Sequence, residues 1–310
     1  MSSIFKKVSA RAQTTGRPPA AVELRPEGAL AASVSGSGAP LFAFSALPPG
    51  ALTPGIDEAN IHRPDLVSAA IRSALDEVSP RTQAVTLILP DTVVRVFVLD
   101  FDSLPARHSE ALPILRFRLR KMVPFDAELA GVSFQVLSQT ETECRVLTAI
   151  VPGPVLAEYE SAVRAAGYEP GAVLASSLAA LESMETMETS MAALLTSTTL
   201  TTTIVAGNDL LLYRTLDLPG DPRQRIAEVQ RGIAVASAYF EDTLRVRPQR
   251  LSYAGDIPGE RFAEWLDDPE LAVVDLVPVP ESGLMTTLGG ASIAAVAGAL
   301  ALQGSQAVAS

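Results

Sequence analysis

The chain has 310 residues, 48% apolar and 5% aromatic, with 24 Lys and Arg against 35 Asp and Glu for a formal net charge of -11. That balance excludes general binding to nucleic acid, whose phosphates such a surface repels. The single cysteine, Cys144, excludes an internal disulfide and fits a reducing compartment, while His62 and His108 are too isolated to build a metal site or a catalytic triad.

Residues 1–19 read as a flexible lead-in. Ile4, Phe5 and Val8 beside Lys6 and Lys7 make at most a weak interfacial anchor, and no secretory apolar run follows. Residues 20–24 and 29–34 form a hairpin around Arg25-Pro26-Glu27-Gly28, and 41–46 a third strand. A Pro- and Gly-rich loop leads to a helix over 65–78. Residues 85–89 are a buried strand that pairs as a hairpin with the Val-rich run 93–100.

Leu112, Leu115, Leu119 and Met122 then recur at three- and four-residue steps, one face of a helix that Pro124 stops near Met122 or Val123. Arg116, Arg118, Arg120 and Lys121 cover its remaining surface, and Phe125 follows its end. Two β-like runs, 132–137 and 144–151, precede a helix over 154–166 closed by Gly167. Beyond it, 173–181 reads as helical and 183–190 as low complexity. The threonine-rich run 196–206 and residues 210–217 read as strands. Asp221 caps a helix with Pro222 at its first position, and strand, helix and strand follow over 250–254, through Phe262 and Trp265, and over 271–277. Residues 284–310 carry no charge. A marginal membrane span and a buried small-residue helix over 289–302 both account for this, and the Ala, Gly and Ser content favours burial. Residues 303–310 read as a flexible tail.

From about Val85 to Leu302 this order resembles the PilM family of type IV pilus assembly proteins, related to FtsA and more distantly to the cytoplasmic part of GspL. The likeness rests on Leu89-Pro90, residues 93–99, Val123-Pro124-Phe125, Ala165 to Pro170, Tyr213-Arg214, Glu228, Arg231 and Tyr239-Phe240. The resemblance implies an α/β, actin-like (ribonuclease H-like) fold of two domains. Residues 20–92 would form the first subdomain and 93–167 an inserted α/β subdomain. Residues 168–302 would form the second domain, with a smaller subdomain around 215–250. It also implies a protein lying peripherally on the cytoplasmic side of the inner membrane. That protein would bind the tail of a PilN-like membrane protein and work with other pilus platform or motor proteins. Self-association stays open.

In such a fold nucleotide lies between the domains, and here the motifs depart from the pattern. The first phosphate loop falls near residues 16–24, where Pro18 and Pro19 remove backbone donors. The second offers threonines, Thr198 and Thr199 among them, without Asp or Gly, and the adenosine site is reduced to Ala254-Gly255. The expectation is therefore a scaffold without turnover, metal or required cofactor, with Arg116, Arg120 and Phe125 as partner contacts. Phe125 also fits a plug in the subdomain core, and the arginines fit solvated positions. Two alternatives remain. One is an ATP-binding protein using Thr198, Thr199 and Gly255, with Asp209 or Asp256 assisting Mg. The other is the cytoplasmic part of a type II secretion platform.

Overall fold

A computed structural model describes residues 17–184, 189–207, 209–277 and 287–307. The expectations for residues 1–16 and 308–310, and for most of the Met/Glu/Thr segment at 185–188, fall outside these.

The same run of elements occurs twice. In the first unit, β1 (Ala20–Arg25), β2 (Gly28–Val34) and β3 (Pro40–Ala46) form an antiparallel meander, followed by α1 (Pro64–Val78) and β4 (Ala84–Leu89). After an insertion, α3 (Gly153–Ala165) leads to β8 (Glu169–Ala175), giving a sheet of order β3-β2-β1-β4-β8. In the second unit, β9 (Ser190–Leu195), β10 (Thr199–Ala206), β11 (Asp209–Asp217), α5 (Pro222–Leu244), β12 (Arg250–Gly255), α6 (Gly259–Leu266) and β13 (Ala272–Asp275) follow the same course. Their sheet order is the equivalent β11-β10-β9-β12-β13.

The period-two geometry of a strand explains why β1 reads as an almost unbroken apolar run. Ala20, Val22 and Leu24 enter the core under α1 and α3, whose Val67, Ile71, Leu75, Tyr159 and Val163 are buried there. Ala21 faces the opposite way, with Leu30, Ala32 and Ile88, into a core shared with Ala192, Leu194 and Ala254 of the second sheet. The small strands β14 (Thr287–Leu288) and β15 (Ala291–Ser292) lead to α7 (Ala294–Ala307). Ala294, Ala295, Val296, Ala299 and Leu300 of α7 fill that shared core together with Ala179, Ala180 and Leu181 of α4 (Ser176–Leu181). The buried-helix reading therefore holds from Ala294 to Leu300, while residues 289–292 belong to the β14–β15 turn instead, and no helix among the described residues is long and apolar enough to cross a membrane.

The insertion is a three-stranded antiparallel sheet, β5 (Arg95–Phe101), β7 (Cys144–Val151) and β6 (Gly131–Gln139), covered on one face by α2 (His108–Leu119). Its other face, through Val96, Val98 and Leu147, meets Val205, Leu210 and Tyr213 of the second unit.

Several expectations are corrected. Strands β4 and β5 do not form a hairpin, because a 3-10 turn at Asp91–Val93 sends the chain into a different sheet. Of residues 173–181 the first three are strand, since β8 pairs with β4 before the short α4. The run at 183–190 hides the start of β9, and the threonine run is divided, with Thr196 to Thr198 forming the β9–β10 turn. Helix α2 ends at Leu119, not near Met122. The strands of the insertion span 95–151, and α3 packs in the first core. Strand β8 and helices α4 and α7 pack with the first sheet, and α5 packs on β10 and β9. The tail at 303–310 is helical as far as Ala307.

Candidate functional site

Strands β1, β4 and β8 run parallel, so their C-terminal ends share one edge of the first sheet. Strands β9, β12 and β13 do the same in the second. Such edges are where open α/β sheets bind ligands. Here the two edges converge on a cleft lined by Glu23, Arg25, Asp91, Ser176 and the turn from Thr196 to Thr199.

Glu23 and Arg25 stand two residues apart on β1 and point to the same face. Arg25 donates from Nη2 to both carboxylate oxygens of Asp256, at 2.7 and 2.9 Å, joining the end of β1 to the end of β12. Glu23 Oε1 accepts from Ser176 Oγ at 2.6 Å, while its Oε2 has no hydrogen-bond partner among the described residues. Asp91 Oδ1 accepts from the amide and hydroxyl of Ser177 at 3.1 and 2.8 Å, and its Oδ2 from Thr201 Oγ1 at 3.1 Å. Ser177 also contacts the Tyr213 hydroxyl, and Glu27 accepts from Ser197 Oγ at 2.9 Å. Four of these contacts cross between the two units.

Burial pushes the Glu23 carboxyl above the ordinary carboxylate range, with Arg25 and Ser176 pulling it down. Burial likewise raises Asp91, against hydrogen bonds from Ser177 and Thr201, and Asp256, against Arg25. Carboxyls with pKa values raised on folding bind extra protons in the folded chain. Their stabilising contribution is full below the ordinary carboxylate pKa and is lost as pH rises through the raised values. The thermal midpoint is therefore expected to fall as pH rises above the ordinary carboxylate range. Glu23→Gln should raise the midpoint at pH 8 by about 2 °C or more and flatten the profile. Parallel profiles for the two proteins would remove Glu23 from this account.

The cleft does not fit a nucleotide. Its free volume is about 20 Å³, room for about one water. The first hairpin turn lies at residues 25–28 rather than at 16–24. Pro26 there has no amide hydrogen, and the Glu27 carboxylate is turned toward the cleft side, where it meets Ser197. In the second turn, the amides of Thr198 and Thr199 are both engaged by Thr196 Oγ1, at 3.3 and 2.9 Å. A Cβ at Gly255 would sit 2.1 Å from the Tyr253 hydroxyl oxygen and 3.0 Å from Leu195 Cβ, so no adenosine-sized space opens beside it. Asp256 is held by Arg25. Asp209 lies at the far end of the β10–β11 ladder opposite Ala206, which is seven residues along β10 from Thr199 and so about 20 Å away. No acidic, His or Cys cluster among the described residues could hold a metal ion.

The expected partner contacts lie elsewhere, at the end of α2 and in the loop beyond it. Arg116 donates to the carbonyls of Ala127 and Glu128, the latter at 2.9 Å, so it ties down that loop. Arg120 is exposed, its guanidinium 5.5 Å from the centre of the Phe117 ring. Phe125 packs against the subdomain core with Leu115, Leu119 and Val123.

No family model matches the chain, and no curated protein matches it by sequence. Solved structures do. A chain of a PilM–PilN type IV pilus biogenesis complex superposes with a TM-score of 0.72 at 18% identity, covering 93% of this chain and 98% of that one. The duplicated strand order around a central cleft and this end-to-end superposition decide the architecture. The fold is actin-like. The cytoplasmic domain of EpsL, an inner-membrane component of the Vibrio cholerae type II secretion system, also superposes, with a TM-score of 0.51 at 13% identity over 93% of this chain and 94% of that one.

Glu23, Arg25, Asp91, Ser176 and Ser177 were not singled out as a site by the sequence. A signal existed for one of them: a glutamate inside an otherwise apolar strand is rarely accidental. The others only become neighbours once the strand ends are brought to one edge.

Proposed function

We propose that this chain is a non-catalytic scaffold of an inner-membrane assembly platform of the type IV pilus kind, holding the cytoplasmic tail of a PilN-like membrane protein. The observation that carries the non-catalytic part is the Arg25–Asp256 ion pair, which spans the cleft where actin-like proteins hold nucleotide. The likeness to the PilM–PilN complex supports the platform part, and the likeness to EpsL keeps a type II secretion platform as the second reading.

Two measurements test it. Calorimetric titration of the full chain with Mg-ATP is expected to give no binding heat at millimolar nucleotide. A saturable isotherm would overturn the pseudo-ATPase reading. Capture from gently solubilised membranes of the native host should recover a membrane protein with a short cytoplasmic tail. Absence of any such partner would remove the scaffold. Arg120→Glu should weaken capture with the melting temperature unchanged, because Arg120 is exposed and makes no ion pair among the described residues. Arg116→Glu should lower the melting temperature as well, since it releases the carbonyls of Ala127 and Glu128.

A further inference from the structure

We propose that the outer face of α2 and the turn after it form a peripheral docking surface for an anionic lipid bilayer. Residues 111–125 contain Arg116, Arg118, Arg120 and Lys121 and no carboxylate, in a chain whose net charge is -11. Arg118, Arg120 and Lys121 are exposed and form no ion pair among the described residues. Beside them stand Ile114, Phe117 and Met122, exposed by 40%, 62% and 41%, three large apolar side chains within nine residues.

The helix geometry places these groups together. Ala111, Leu115 and Leu119 are buried against the subdomain sheet. Ile114 and Phe117, three residues apart on α2, stand away from that buried stripe, and Lys121 and Met122 are exposed in the turn just after the helix ends at Leu119. Cations interleaved with exposed aliphatic and aromatic side chains at a helix end and in the turn after it suit the headgroup and acyl boundary of a membrane, where apolar tips insert and cations meet lipid phosphates. The charge complementarity is local, since the negative remainder of the chain is repelled by the same lipids, which orients the molecule with α2 downward.

This deepens the platform reading, adding direct lipid contact to attachment through a partner, but its test needs no partner. Flotation of the purified full chain with vesicles of mixed phosphatidylglycerol and phosphatidylcholine is compared with pure phosphatidylcholine, at low salt and at 0.5 M NaCl. Binding to the anionic vesicles at low salt is expected, with loss on neutral vesicles and at high salt. Arg118→Gln with Lys121→Gln should reduce partitioning on the order of 30-fold. Phe117→Ser should reduce it by about tenfold. Both should leave the melting temperature unchanged, and Arg63→Gln, an exposed cation elsewhere, should leave binding unchanged. No flotation with anionic vesicles, or equal flotation by the α2 variants, would overturn the proposal. So would flotation that appears only with a captured platform protein, which would assign these cations to a protein partner. Vesicle binding without partner capture would sink the platform reading and leave the lipid surface standing.

Discussion

Asp256→Ala is expected to destabilise the chain by about 3 kcal/mol at pH 7, since it leaves the Arg25 guanidinium buried without its bidentate partner. Arg25 is 5% exposed, so water cannot replace the lost carboxylate without opening the cleft. Glu23 lies on the same strand face and softens the loss, which places the cost at the lower end for a broken buried pair. Removing both partners is a different experiment. Arg25→Met with Asp256→Leu deletes the buried charges of the pair, yet leaves Glu23 without its counter-charge. Adding Glu23→Gln should therefore recover most of the lost stability, because replacing a whole buried ionic cluster by groups of similar volume is often near neutral. Urea denaturation of the single, double and triple variants tests this. A triple variant no better than Asp256→Ala would mean that the pair is not what closes the cleft.

Gly298→Val is expected to cost about 3 kcal/mol or more, through overpacking between α7 and α4. A Cβ at position 298 would lie 1.9 Å from the Ala179 carbonyl oxygen and 3.0 Å from Ser183 Oγ, so one helix must move. Neither can move alone, because the flanking Ala295, Val296 and Ala299 are buried between both sheets. Ala297→Val serves as the comparison. Ala297 is half-buried, and its substitution should cost no more than about 1 kcal/mol, mostly from helix propensity. Equal urea midpoints for the two variants would show that α7 does not pack so closely. In a membrane span, by contrast, the added methyl groups would favour insertion.

Much of the fold was legible in the sequence because it rests on short-range patterns. The hairpin around Arg25 to Gly28, α1 with its buried stripe, and α5 with Asp221 accepting from the amides of Arg223 and Gln224 each follow from local spacing and turn chemistry. The actin-like class followed from a resemblance spread over the chain. What sequence could not place were elements whose identity depends on distant neighbours. Residues 173–175 have a helical pattern but become strand because the edge of β4 is there to pair with them. Residues 190–195 are plain small and apolar residues, and only the pairing with β10 and β12 makes them the central strand β9.

The chain by itself limited the chemistry that rests on histidine and cysteine: with two lone histidines and one cysteine it cannot supply two cysteines for a disulfide or a zinc site built from cysteines. The tertiary structure alone decided what spans the cleft. Arg25 and Asp256 are 231 positions apart, and no local pattern links a turn arginine to an aspartate at the end of a strand in the other unit. They meet because parallel pairing puts the ends of β1 and β12 on facing sheet edges, and long-range strand pairing has no signature in any short stretch of sequence.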